Sequence, residues 1–184
     1  DPDTVVLDAG KLNALGAESL FIGGTRTVSA DTTTLTVGAE TLTLANDASH
    51  TLKAAEIMLA AKDTLTLKAG SAIDAQGDAG NAGAYETAGN GAFVRAASTS
   101  ASFSRTGSPD RTKGTLIGEP GSQIIAADSI MLDATRKNDY RGSAIFSKNG
   151  IPVAGNLAIG AERVNFGAAP ATAEGITYSQ AELN

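Results

Sequence analysis

Four acids, Asp74, Asp78, Asp128 and Asp133, are the candidates for a carboxylate pair of the kind that cleaves glycosidic bonds. That chemistry needs one protonated and one ionised carboxyl group flanking the sugar bond. It also needs a cleft that grips sugar rings, and three Tyr and five Phe without any Trp build such a cleft poorly. The single histidine, His50, has no second imidazole with which to share a metal, and nothing around it suggests a Ser-His-Asp triad. We read it as a corner or surface residue. The run Asp74-Ala75-Gln76-Gly77-Asp78-Ala79-Gly80 has the Gly/Asp flavour of a calcium turn but lacks the spaced oxygens of a calcium loop. Cysteine is absent, which removes thiolate metal sites and a disulfide framework. No phosphate-binding loop and no zinc-protease histidine pair occurs. The sequence predicts no catalytic residue, no metal and no cofactor.

A second charged feature is basic. Residues 95–148 carry eight of the fourteen Lys and Arg against five acids, so this stretch is net +3 and the rest of the chain is net −9, giving −6 in all. Arg95, Arg105, Arg111, Lys113, Arg136, Lys137 and Arg141 are therefore the candidates for a patch that attracts an anionic ligand such as a charged glycan or surface polymer. The plainer reading is solvated charge scattered over loops. Net acidity argues against a nucleic-acid partner.

These residues must be positioned by elements, and a repeat shows which. One phrase recurs: a small residue or Lys, an acid, any residue, an aliphatic, any residue, an aliphatic or Phe. It runs through Ala17-Glu18-Ser19-Leu20-Phe21-Ile22, Ala39-Glu40-Thr41-Leu42-Thr43-Leu44 and Lys62-Asp63-Thr64-Leu65-Thr66-Leu67, 22 and 23 residues apart. It returns as Ala127-Asp128-Ser129-Ile130-Met131-Leu132 and Ala161-Glu162-Arg163-Val164-Asn165-Phe166, and shortened as Ala55-Glu56-Ile57-Met58-Leu59. Period-2 alternation marks strands with one buried face. About three strands fit each period of 22 residues, if Leu35-Thr36-Val37 matches Ile57-Met58-Leu59 and Val28, Leu52 and Ile73 form another series. The sequence thus predicts an all-β fold, a right-handed parallel β-helix with three-strand rungs of about 22 residues. Leu42 is expected to stack on Leu20 and under Leu65, Thr41 near Thr64, and Thr43 near Thr66. The acids Glu18, Glu40, Asp63, Asp128 and Glu162 are expected at corners facing water, a cation column being the sharper alternative. A β-sandwich also uses short alternating strands but does not explain the fixed spacing.

The pattern fails between 77 and 114, where Gly77, Gly80, Gly83, Gly89 and Gly91 crowd together. We expect one domain over 1–184, with 77–114 extruded from the coil and 168–184 an irregular tail. Coil-like sequence resumes at Thr115-Leu116-Ile117-Gly118, and Gly121-Ser122-Gln123-Ile124 echoes Gly70-Ser71-Ala72-Ile73. A second break is expected at 135–142.

The Ala-Glu-x-Leu-x-Leu phrases resemble the repeats of filamentous haemagglutinin-type proteins. So do Lys62-Asp63-Thr64-Leu65-Thr66-Leu67-Lys68-Ala69-Gly70, Gly70-Ser71-Ala72-Ile73-Asp74-Ala75-Gln76-Gly77 and Asn156-Leu157-Ala158-Ile159-Gly160 onward. The likeness covers roughly residues 5–76 and 115–167. It implies a segment of a very long β-helical exoprotein of Gram-negative bacteria, secreted or held at the outer membrane, that acts in attachment to host or bacterial surface glycans or proteins. It also implies an outer-membrane transporter partner for the parent protein. No Asn-Pro-Asn motif of that family's secretion domain is present, so the transporter is not expected to act on this segment. The expected function is structural and adhesive, not enzymatic. The alternatives are a polysaccharide-active β-helix enzyme, a lyase or glycosidase, and a phage-type fibre segment.

Overall fold

The computed structural model describes residues 5–80, 83–161, 164–166 and 176–178. A short helix, α1 (Ala9–Ala14), precedes β1 (Ser19–Ile22). The chain continues through β2 (Gly24–Ser29), β3 (Thr32–Val37), β4 (Thr41–Leu44), β5 (Leu52–Lys53), β6 (Glu56–Ala61), β7 (Thr64–Leu67) and β8 (Ala72–Ala75). Then follow β9 (Ala84–Ala88), β10 (Ala92–Ala97), β11 (Ser102–Thr106), β12 (Thr115–Gly118), β13 (Gln123–Ala126) and β14 (Ser129–Ala134). The last strands are β15 (Lys137–Tyr140), β16 (Ser143–Lys148), β17 (Ile151–Pro152), β18 (Asn156–Ala161), β19 (Val164–Phe166) and β20 (Ile176–Tyr178). The protein is all-β, as expected.

Three sheets enclose the main core. Sheet I has the order β1-β6-β10-β14-β18, sheet II β4-β7-β12-β15, and sheet III β5-β8-β13-β16, with β17 folded back on β16. The chain visits I, II and III in that order again and again: β1, β4, β5, then β6, β7, β8, then β10, β12, β13, then β14, β15, β16, and back to β18. Sheet II is parallel throughout and in register, so Leu42, Leu65 and Leu116 form one ladder and Asn138 continues it. Sheet III stacks Leu52, Ile73 and Ile124 in the same way. Strand alternation turns one side of each strand inward, where Ile57, Leu59, Leu65, Leu67, Ile73, Val94, Leu116, Ile124 and Leu132 meet in one apolar cluster. Each fully buried aliphatic contributes about 1.5–3 kcal/mol over leaving it in water.

Helix α1 lies beside β5, at one edge of sheet III. Asp8 caps it by accepting from Lys11 N at 2.7 Å, and Ala9 and Leu12 pack on the core. Asn13 then stands in for a strand beside β5, its Nδ2 donating to Thr51 O at 2.9 Å and its Oδ1 accepting from Lys53 N at 2.8 Å.

A fourth, outer sheet has the order β2-β3-β9-β11 and packs on the outside of sheet I. Gly23, with φ of 102°, turns the chain out of β1 into it; a Cβ there would lie 1.9 Å from the Ala60 carbonyl oxygen. Leu35, Met58, Ala60, Tyr85 and Phe93 form a second core between the two sheets, flanked by Phe21, Phe103 and Met131. Covered on both faces, β6 and β10 are buried at every residue.

Several expectations are corrected here. The segment 77–114 is not extruded as a whole, because β10 fills the third place of sheet I, antiparallel to both β6 and β14. Only β9 and β11 stand outside, in the outer sheet. Leu20 pairs with Ile57 and not with Leu42, since Ala17–Ile22 heads a strand of sheet I while Ala39–Leu44 heads one of sheet II. Leu35 belongs to the outer sheet, and Val28 is an exposed hairpin residue. The expected break at 135–142 contains β15, a regular member of sheet II. Glu18 and Glu40 face water, Asp63 and Asp128 are half-buried, and Glu162 lies outside the described residues. Of the expected tail 168–184, only β20 is described, paired in parallel with β19.

Candidate functional site

The structure divides the seven basic residues among three places. Arg95 is only 2% exposed and belongs to no surface patch. It sits on the outward side of β10, between Met58 and Met131 of the neighbouring strands and beneath the outer sheet. Its Nε donates to Glu56 Oε1 at 2.7 Å, its Nη1 to Ser129 Oγ at 2.8 Å, and its Nη2 to the Thr99 carbonyl at 3.0 Å. The guanidinium also lies 5.6 Å from the Tyr85 ring centroid. Glu56 is equally buried, and Tyr85 donates its hydroxyl to that carboxylate at 2.8 Å while Ser19 Oγ donates at 2.5 Å. Arg26 completes the cluster by donating to Ser19 Oγ at 3.1 Å. Burial, then the adjacent Glu56 charge, pushes the Tyr85 hydroxyl up to about 12. A buried charge pair survives only with its remaining valences satisfied, and this one has them.

Arg105, Arg111, Lys113 and Arg136 do gather around the turn at Gly89–Asn90 and the loop 110–113. Arg105 donates to Gly89 O at 2.9 Å and pairs with Asp133. The backbone N–H of Arg111 donates to Asn90 Oδ1 at 3.2 Å, and Arg136 donates to Thr112 O at 3.4 Å. Lys113 pairs with Glu40, which holds the Glu40 carboxyl below and the Lys113 ammonium above the usual range. Asp110 is drawn down to about 2 by the Thr112 backbone N–H and then by Asn90. Lys137, at the start of β15, and Arg141, just past its end, flank Asp139 at 3.4 and 2.8 Å. Burial works to raise the Asp139 carboxyl, but the Arg141 hydrogen bond and both cations bring it below its ordinary value. The basic stretch is thus bound up with acids, Asp133 and Asp139 within it and Glu40 and Glu56 outside it.

The four candidate acids do not converge. Asp74, in sheet III, accepts from Gln76 Nε2 at 2.6 Å. Asp128, at the corner before β14, accepts from Ser100 Oγ at 2.6 Å, Asp133 is held by Arg105, and Asp78 is exposed. His50 is exposed beside Asp47, 2.9 Å away. Among the described residues no group of three or more acids and histidines is placed to hold a metal ion, and no helix is long and apolar enough to cross a membrane.

Two grooves on the described surface bear on binding. One, of about 190 Å³, runs between β11 and the outward side of β14 and β18, lined by Ser102, Phe103, Met131, Asn156 and Ala158. The larger, about 390 Å³, opens at one end of the outer sheet between β3 and β9, with Lys62 and Lys113 at its side. In that groove Lys62 heads one copy of the repeat phrase without being marked as a site residue, and Glu86 carries no signal in the sequence. Comparison with known proteins found no matching family, no matching curated protein and no matching solved structure. The geometry of the chain itself must carry its function.

Proposed function

We propose that this chain is a segment of a right-handed parallel β-helix within a large secreted or surface-exposed bacterial exoprotein of the filamentous haemagglutinin type, and that it works by display and attachment, not by turnover. The observation that carries the reading is the repeated visit to the same three sheets in the same order, with Leu42, Leu65 and Leu116 in one parallel ladder. An array of this kind is held by contacts between neighbouring turns and extends by repetition. Right-handed crossing between parallel strands is the strongly favoured sense. Long walls then face outward, and here they carry mostly hydroxyls: Thr25, Thr27, Thr34, Thr36, Ser102, Ser104 and Thr106 on the outer sheet, Thr41 and Thr43 on sheet II.

In this reading the partners are glycans or proteins of a host or bacterial surface, and the setting is the outside of a Gram-negative cell. The outer-membrane transporter serves the parent protein through another part of it. An enzymatic role would call for carboxylates gathered at a cleft, whereas Asp74, Asp128 and Asp133 are each held by a different neighbour. The test is to apply the fluorescently labelled chain to a glycan array and to intact bacterial and epithelial cells. Saturable binding to at least one surface is expected; no binding to any of them overturns the attachment role.

A further inference from the structure

The larger groove exists because two strands of the outer sheet part company. The parallel pairing of β3 with β9 runs from Thr32 and Ala84 to Leu35 and Thr87 and stops there, although β3 continues to Val37 and β9 to Ala88. Their destinations differ. Through Gly38 and Ala39, β3 leads into sheet II, whereas β9 turns back at Gly89 and Asn90 into sheet I. Each keeps its other neighbour, Thr36 opposite Thr25 and Ala88 opposite Thr106, so the sheet forks instead of fraying. The vertex is pinned by the buried Thr87 hydroxyl, which donates to Leu35 O at 3.0 Å. At about 390 Å³ the fork falls at the low end of small-molecule sites, which span ~300–1,000 Å³.

The polar groups in its wall are unevenly committed. Lys113 is taken by Glu40, and Asn90 by Asp110 and the Arg111 N–H. The side chains of Glu86, Thr34 and Thr36 make no hydrogen bond or ion pair among the described residues, and Lys62 makes none either but acts through space on Glu40, helping to lower its carboxyl. The fork therefore offers one ammonium, one carboxylate and two hydroxyls beside the aliphatic surface of Val37 and Ala88. Those two charges sum to zero, as do Lys113 and Glu40, so the fork has no net preference for an ion. A donor and an acceptor set over a small apolar floor match a neutral polyol, whose adjacent hydroxyls give protons to a carboxylate while a third oxygen accepts from an ammonium.

We propose that this fork is a binding site for a neutral hexose unit of a polysaccharide chain, with Glu86 accepting from adjacent sugar hydroxyls and Lys62 donating to a sugar oxygen. The proposal rests on the attachment reading and names a site and a ligand class for it. With no aromatic ring in the wall, one site binds weakly, and repeated copies along a long protein supply strength by avidity.

The test is saturation-transfer NMR on the whole 184-residue chain, with maltohexaose, cellohexaose and mannohexaose as separate probes and a heparin hexasaccharide as the anionic comparison. Expected is transfer to at least one neutral probe, unchanged by 0.5 M salt (about 4 Å Debye length, so charge attraction alone would fade). Glu86→Gln and Lys62→Met should each lower it at least fivefold, and Lys68→Met, on the opposite end of sheet II, should leave it intact. No transfer to any neutral probe, or transfer that both variants leave unchanged, overturns the site. If the neutral probes fail while the chain still coats cells, the fork inference falls and the attachment reading stands; if coating fails as well, both fall.

Discussion

Replacing Arg95 by Met tests what the buried charge pair beneath the outer sheet contributes to stability. Met matches the neighbours, since Arg95 stands between Met58 and Met131. The change removes three hydrogen bonds, to Glu56, Ser129 and the Thr99 carbonyl. It also strands the Glu56 carboxylate, which keeps only the hydroxyls of Tyr85 and Ser19. Breaking a buried pair by removing one partner costs about 3–5 kcal/mol. Two surviving donors place this case near the lower bound, about 3 kcal/mol. Glu56→Gln should cost a similar amount, because the buried Arg95 cation then faces only neutral partners. Both changes abolish the same pair, so the double variant Arg95→Met/Glu56→Gln should cost less than the sum, with a coupling of about 2 kcal/mol. Urea unfolding of the four proteins, compared at equal slope, gives these values. Strictly additive costs, or an Arg95→Met protein within about 0.5 kcal/mol of the parent, would refute the reasoning.

Three further outcomes follow from the packing. Leu65→Asp puts an unpaired charge into the ladder between Leu42 and Leu116, and should cost at least about 4 kcal/mol by urea melt; a parent-like melt would mean the register is wrong. Deleting 78–113 and closing with a short turn removes β10 from the middle of sheet I, so the product should lack a cooperative transition by circular dichroism; a native-like transition would show that β10 is dispensable. Tyr85 is protonated in the fold up to about pH 12, above the ordinary value of 10.0, so its contribution is intact below pH 10 and lost as the pH rises through 12. That shift corresponds to about 2–3 kcal/mol. Stability measured from pH 8 to 12 should fall less steeply in Tyr85→Phe than in the parent, and equal slopes would contradict the burial of that hydroxyl.

The all-β class and parts of the register were legible because alternation and spacing report one-sided burial directly. Leu42 on Leu65, Thr41 beside Thr64, and Leu52, Ile73 and Ile124 in line are all visible in the repeat. What the repeat hid is which wall each phrase builds. An acid followed by an alternating strand encodes a corner and a half-buried strand, and it does so equally well in sheet I and sheet II. Strand β10 was missed for the opposite reason. Covered on both faces, it has no alternation to read, and the surrounding glycines suggested a loop. Arg95 was placed at the surface because arginine is seldom buried unless paired. The signal that could have found it was a lone cation after Phe93-Val94 and a lone acid ahead of Ile57-Met58-Leu59, each in an otherwise apolar strand. Lys62 and Glu86 line one groove because β3 and β9 diverge, a consequence of long-range topology that local spacing does not encode.

After its passage through β9, β10 and β11, the chain returns to lay β12 directly on β7. The chain has no cysteine, so a Thr66→Cys/Ile117→Cys pair reports on this alone. The two residues are register partners on adjacent parallel strands, about 4.8 Å apart, within the roughly 4.4–6.8 Å that a disulfide spans. Mild oxidation of the folded protein should close an intramolecular disulfide between them and raise the urea midpoint. Failure to cross-link while folded, or a cross-link that forms only once the protein is unfolded, would contradict that pairing.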